Sequence, residues 1–177
     1  MRRRPTIVLG ASGLVGQRMQ QRLFNHPWFE LTAIGGRAER THQTLDEIPW
    51  RLEQQRPSLP IVPILDTSSK SFLDELTKLN IEVAFSCLPS DAAEHIESTL
   101  AQAGIAVFSN ASFHRRKQGI PLVIPDVNEE HFTEFSTSKG PHACGTNCTL
   151  IPMAAPLSAL RQFCLLYTSD AADEGLG

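Results

Sequence analysis

The 177-residue sequence contains no run of 18 apolar residues, so nothing in it reads as a membrane-spanning helix. It has no excess of positive charge: the net charge is −3, which leaves no electrostatic footprint for nucleic acid. Cysteine is scarce, with four in all (Cys87, Cys144, Cys148 and Cys164), and the surrounding pattern suits free thiols better than a disulfide framework. Cys144 and Cys148 could form half of a metal site, but no second pair stands at ligand spacing, so no metal is expected. Tyr167 is the only tyrosine and Ala171 follows it four residues on, which excludes a Tyr-x-x-x-Lys catalytic pair. Met1-Arg2-Arg3-Arg4-Pro5 is basic, but the apolar run behind it breaks at a glycine turn, so it reads as a solvated tail rather than a signal peptide. A cytoplasmic location is the expectation. A hydrophobic content of 41% is enough for a packed core, and the length allows one domain and part of another.

What is present is organised around Thr6-Ile7-Val8-Leu9-Gly10-Ala11-Ser12-Gly13-Leu14-Val15-Gly16. A β-branched apolar run ends in glycines three apart, and Val15, Met19 and Leu23 then recur at helical spacing. This predicts a strand, a tight turn and a helix. Glycine admits positive φ and the close approach of a phosphate, which would meet the free N–H groups and positive dipole end of the helix. A dinucleotide pyrophosphate is the expected occupant. Ser12 stands where the second glycine of a G-x-G-x-x-G fingerprint could be expected, and an ordinary ligand-free turn is the alternative.

The rest of the first 137 residues alternates between strand and helix patterns. Phe29–Ile34 reads as a second strand that ends at Gly35-Gly36-Arg37-Ala38-Glu39-Arg40. Arg37 and Arg40 there suit the 2′-phosphate of NADP, while Glu39 keeps NAD open. Ile61–Leu65 is a short strand that Pro63 assigns to a sheet edge. Ser71–Leu79 reads as a helix and Ile81–Cys87 as a buried strand. Asp91 and Glu94 suggest a capping box, for a helix that turns Ile96, Leu100 and Ala103 inward and stops at Gly104. Ile105–Phe108 and Pro121–Ile124 are further strands. The alternation predicts an α/β fold, a Rossmann-type doubly wound parallel sheet, with the segments at Gly10, Leu88–Asp91 and Asn110 on its carboxyl edge.

The second informative stretch is His142-Ala143-Cys144-Gly145-Thr146-Asn147-Cys148-Thr149-Leu150-Ile151. The sequence beyond Thr149 is apolar and helix-compatible, and Pro152 fits a first turn. Cys148 would stand at a helix N-terminus, which favours thiolate. A thiolate there can attack a carbonyl and hold a thioester, with nearby N–H groups stabilising the oxyanion. A buried structural role is the alternative for any lone cysteine, and it is the reading for Cys87 and Cys144.

Taken together, Leu9–Gly16, His26–Leu31, Phe85–Asp91, Val107–Ser112, Pro121–Asn128 and Thr146–Thr149 resemble aspartate-β-semialdehyde dehydrogenases, most closely the branch typical of archaea, fungi and some bacteria. The resemblance implies NADPH-dependent conversion of 4-phospho-L-aspartate to L-aspartate 4-semialdehyde with release of phosphate. This reaction feeds lysine, threonine, methionine and isoleucine synthesis. It implies Cys148 as nucleophile and Asn147 as substrate-orienting residue. Gly10, Ser12, Gly13, Leu14 and Val15 would line NADP, with Arg37 and Arg40 at the ribose end and Ser86 and Pro89 near the nicotinamide. Asn110 and Arg115 would bind the substrate phosphate. Partners would be small molecules, not nucleic acid or membrane, and the full-length protein would be a homo-oligomer.

Two departures from the family stand out. Gly145-Thr146-Asn147 replaces the usual asparagine-proline-asparagine before the nucleophile. The family's general-base histidine and carboxylate-binding arginine belong to later sequence than residue 163. The expected organisation is therefore a cofactor domain at 1–137 and the truncated start of an α+β catalytic and dimerisation domain at 138–163. Residues 164–177 are expected to be a non-native tail that resembles a translated sequencing adapter. Alone, such a chain is expected to bind NADP(H) without turnover. Another acyl-phosphate reductase, such as an N-acetyl-γ-glutamyl-phosphate reductase, and a non-catalytic NADP-binding module are the competing readings.

Overall fold

The computed structural model describes residues 2–41, 43–134 and 140–163. Strands are β1 (Arg4–Leu9), β2 (Phe29–Gly36), β3 (Ile64–Asp66), β4 (Val83–Ser86), β5 (Ala106–Ser109), β6 (Leu122–Val123) and β7 (His142–Gly145). Helices are α1 (Leu14–Leu23), α2 (Phe72–Lys78), α3 (Ser90–Gln102) and α4 (Ile151–Phe163). The strands form one sheet in the order β3-β2-β1-β4-β5-β7-β6, and every pairing is parallel. Strand order reverses between β1 and β4, where open α/β sheets leave a crevice at the carboxyl ends of their strands.

The sheet is covered on both faces at β1, which is why this strand reads as a continuous apolar run: Ile7, Val8 and Leu9 are all fully buried. Ile7 and Leu9 point to one face and pack with Phe72, Leu76, Leu100 and Val107. Val8 points to the other and packs with Leu23, Leu31, Ile34, Leu45 and Ile48. Pro63 precedes β3, and β3 is an edge strand as expected. Gly104 ends α3 at φ +87°.

Several local expectations are corrected. In α1 the buried residues are Gly16, Gln17, Gln20 and Leu23, whereas Val15 is 53% exposed. Two glutamines take the inner face because backbone satisfies them. Gln17 donates to the carbonyls of Ser12 and Pro49 and accepts from the Arg51 amide; Gln20 donates to the Ala11 carbonyl at 2.7 Å. The capping box is absent. Pro89 is the extended N-cap of α3, so Asp91 already lies inside the first turn. The inward face of α3 is Ala93, Glu97 and Leu100; Ala103 is exposed, and Ile96 packs only partly against the core. β2 runs on through Gly36.

The stretch His142–Gly145 was not expected to be a strand. It forms β7, inserted between β5 and β6. The expected division after residue 137 lies outside the described residues, as does the expected tail at 164–177; the sheet itself draws on β7 from beyond that division.

Candidate functional site

Strand register sets up the site. Leu9, Ser86, Ser109 and Cys144 pair in one row across β1, β4, β5 and β7. The next residues of β1, β4 and β5, Gly10, Cys87 and Asn110, therefore leave the sheet together at its carboxyl edge, while β7 runs one residue further to Gly145, paired with Val123 of β6. The glycine turn, the Leu88–Asp91 turn and the Asn110 segment all lie there, as the sequence predicts.

At the glycine turn, Gly10 has φ +71°, and a Cβ on it would lie 2.5 Å from the Cys87 carbonyl oxygen. Gly16 seats α1 against the turn: a Cβ there would lie 2.3 Å from the Gly10 carbonyl oxygen. Gly13 is the N-cap of α1 and no side chain caps that end, so the first-turn amides are open to an anion. A cavity of about 500 Å³ opens beside them, lined among others by Gly10, Ser12, Gly13, Arg37, Arg40 and Pro89. Six of the expected cofactor residues thus meet in one place. The Leu14 and Val15 side chains are exposed and do not line this cavity. Ser86 is fully buried beneath the edge, and its carbonyl accepts the Asn110 amide at 2.9 Å. Thr67 and Cys87 also line the cavity and were not anticipated; both follow strand ends, the one signal that could have found them.

The expected substrate side is built on the loops after β5 and β7. Arg115 donates from Nε to the Gly145 carbonyl at 3.0 Å and from Nη2 to the Asn110 carbonyl at 2.8 Å. Asn110 Nδ2 approaches Cys87 Sγ at 3.9 Å. Beyond Gly145 the chain turns into α4, and Asn147 organises that turn. Its Oδ1 accepts from the Thr149 amide at 2.8 Å and the Thr149 hydroxyl at 2.7 Å. Cys148 sits exposed between them, just ahead of α4. The other described thiols differ. Burial pushes Cys87 up to about 11 and Cys144 up to about 12, which keeps both protonated at neutral pH.

Sequence reading missed a buried cluster directly below this edge. Glu97, His114 and His142 face one another, and Glu97 and His114 are completely buried. Glu97 Oε1 accepts from the Ser109 hydroxyl at 2.6 Å, and Ser109 Oγ accepts the Ala111 amide at 3.0 Å. Burial opposes ionisation of Glu97, but the neighbouring His142 imidazole and the Ser109 hydroxyl outweigh it and lower its pKa. Burial, then the neighbouring His142, lowers that of His114. A signal was available: Glu97 is the charged member of an otherwise apolar inward row on α3.

The semialdehyde dehydrogenase NAD-binding domain family matches residues 6–135. Aspartate-semialdehyde dehydrogenase of Archaeoglobus fulgidus is 34% identical over 86% of the chain and 45% of its own length. That of Saccharomyces cerevisiae is 34% identical over 86% of the chain and 44% of its length. Among solved structures, aspartate-semialdehyde dehydrogenase with NADP from Candida albicans superposes with a TM-score of 0.77 at 30% identity, covering 92% of this chain and 48% of that one. The chain spans about half the length of the curated relatives it matches. Among the described residues no helix is long and apolar enough to cross a membrane.

Proposed function

The chain belongs to the semialdehyde dehydrogenase family, and from that premise we propose that it carries the cofactor site and the nucleophile of an NADPH-dependent aspartate-semialdehyde dehydrogenase. The whole enzyme would convert 4-phospho-L-aspartate to L-aspartate 4-semialdehyde and phosphate, in the synthesis of lysine, threonine, methionine and isoleucine. The observation that carries this reading is the shared carboxyl edge. The glycine turn and the turn that bears Cys148 leave the same sheet on the same side.

The residues present suit NADP. A bare Gly10 and an uncapped α1 N-terminus receive the pyrophosphate, and Leu14 and Val15 add backbone amides. Arg37 and Arg40 line the same cavity and match a 2′-phosphate. Pro89, which lines the cavity, would border the nicotinamide, and Ser86 would support that end through its carbonyl, which accepts the Asn110 amide. When bound, the nicotinamide supplies the reducing equivalents.

Cys148 attacks the acyl carbon as thiolate; its S–C bond forms as the C–O bond to phosphate breaks, and phosphate leaves. Asn147 holds the turn that presents the thiol. Arg115 commits two N–H groups to backbone and meets the leaving phosphate with the rest of its guanidinium. The test is phosphate-dependent reduction of NADP⁺ by L-aspartate 4-semialdehyde in the whole enzyme. Cys148→Ser should abolish turnover while NADPH binding persists. Turnover retained in that variant contradicts the reading.

A further inference from the structure

Glu97, His114 and His142 come from three separate elements: α3, the loop after β5 and the first residue of β7. Their nearest ligand atoms all lie within 4.8 Å of one another. His142 Nε2 stands 3.3 Å from Glu97 Oε2, and His114 Nε2 stands 3.7 Å from the same oxygen. Glu97 Oε2, His142 Nε2 and His114 Nδ1 complete no hydrogen bond among the described residues, and His114 Nε2 meets the Ala93 carbonyl at 3.4 Å. Buried polar atoms left in this way are costly and call for an explanation.

A proton can bridge the carboxylate oxygen to one imidazole, but the other nitrogen is then left facing it unmatched. A cation satisfies Glu97 Oε2 and His142 Nε2 together, and His114 Nε2 completes the set in the tautomer that carries its proton on Nδ1. Bonds of about 2.0–2.1 Å in a tetrahedral site separate neighbouring ligand atoms by about 3.3 Å. The two separations from Glu97 Oε2 are close to that spacing. The opposite oxygen, Oε1, is fixed by Ser109, so the carboxylate is already oriented as a bound ligand requires.

We propose that Glu97, His114 and His142 form a binding site for one divalent transition-metal ion of the zinc class. Two imidazoles and one carboxylate are a ligand set that suits zinc over magnesium or calcium. Three protein ligands leave a fourth position for water. A cavity of about 340 Å³, lined by Ser98, Gln102, Lys117, Gly140 and His142, touches the cluster at His142 and is the side from which an ion would enter. The bound ion would tie α3 to β7 and to the loop that carries Arg115, and so brace the edge from below.

The test uses the full chain, treated with chelator and then titrated with Co²⁺ alone. The expected result is one equivalent bound, with the visible bands of a four-coordinate ion and without a thiolate charge-transfer band; Zn²⁺ displaces it. Cys148→Ser keeps the signal and His142→Gln loses it. Should His142→Gln not fold, ring-nitrogen NMR of the unmutated chain decides. Addition of Zn²⁺ should shift the His114 and His142 resonances and leave those of His26 and His95 in place. No binding, binding that requires Cys148, or unshifted His114 and His142 resonances overturns the proposal.

Discussion

Arg115 reaches across the carboxyl edge and donates from Nε to the Gly145 carbonyl at 3.0 Å. The second bond, to Asn110, makes it a clamp between the loop after β5 and the end of β7, whose chain runs on to Cys148. Hydrogen bonds from a charged donor contribute about 1.5–3 kcal/mol, with less expected at a partly exposed position. Arg115→Ala should therefore lower stability by about 1–2 kcal/mol in denaturant unfolding. Arg115→Lys should recover little, because an ammonium cannot reproduce the planar fork that reaches two carbonyls.

The two glycines at the ends of the turn make a second prediction. Gly10→Ala forces positive φ on a residue with a side chain and brings its Cβ against the Cys87 carbonyl. Gly16→Ala pushes α1 off the Gly10 carbonyl. Each should cost about 1–3 kcal/mol of stability, and each should weaken NADPH binding more than it lowers the melting temperature implies. A Gly13→Ala variant meets only the Gly10 carbonyl oxygen at 3.6 Å and should fold as well as the parent. Thermal melts alongside NADPH fluorescence titration check all three.

Most of the sheet was legible because buried parallel strands such as Thr6–Leu9 and Val83–Ser86 advertise themselves as apolar runs. The glycine turn was legible because backbone geometry restricts which residue can occupy it. The inner face of α1 was not, since Gln17 and Gln20 are buried by hydrogen bonds to distant carbonyls that no local period records. β7 escaped because His142-Ala143-Cys144-Gly145 is short and lacks β-branched residues; its neighbours in the sheet hold it extended. Glu97 escaped because its partners are on other elements, at His114 and His142.

Thiol chemistry separates the cysteines. Cys148 is exposed, whereas burial raises Cys87 from 9.0 to about 11. Iodoacetamide at pH 7.5 should label Cys148 first, and labelling of Cys87 should lag until the pH nears 11. The sign for stability follows from the raised folded pKa. The contribution of neutral Cys87 is complete below pH 9, where the thiol is protonated in both states, and is lost as pH rises through about 11. Peptide mapping by mass spectrometry against pH reads the order; equal labelling of both sites at pH 7.5 contradicts it.

Helix α4 leaves Ile151, Met153, Leu157 and Leu160 exposed, and Leu150 is exposed just ahead of it. Met153, Leu157 and Leu160 share one helix face at i, i+4 and i+7, and an exposed apolar face of this kind favours association. The chain should self-associate at micromolar concentration, and Leu157→Glu with Leu160→Glu should shift it toward monomer in sedimentation velocity. A parent chain that sediments as a monomer contradicts this.

Calorimetric titration of the chain with NADPH and NADH, repeated on Arg37→Ala/Arg40→Ala, tests the cofactor site at the glycine turn most directly. NADPH should bind saturably and more tightly than NADH. The double variant should lose about 10- to 100-fold of NADPH affinity, as expected for charge-assisted bonds of about 1.5–3 kcal/mol, and leave NADH almost unchanged. Absence of binding by either nucleotide, or equal loss of both in the variant, would contradict the assignment of the glycine-turn cavity to NADP.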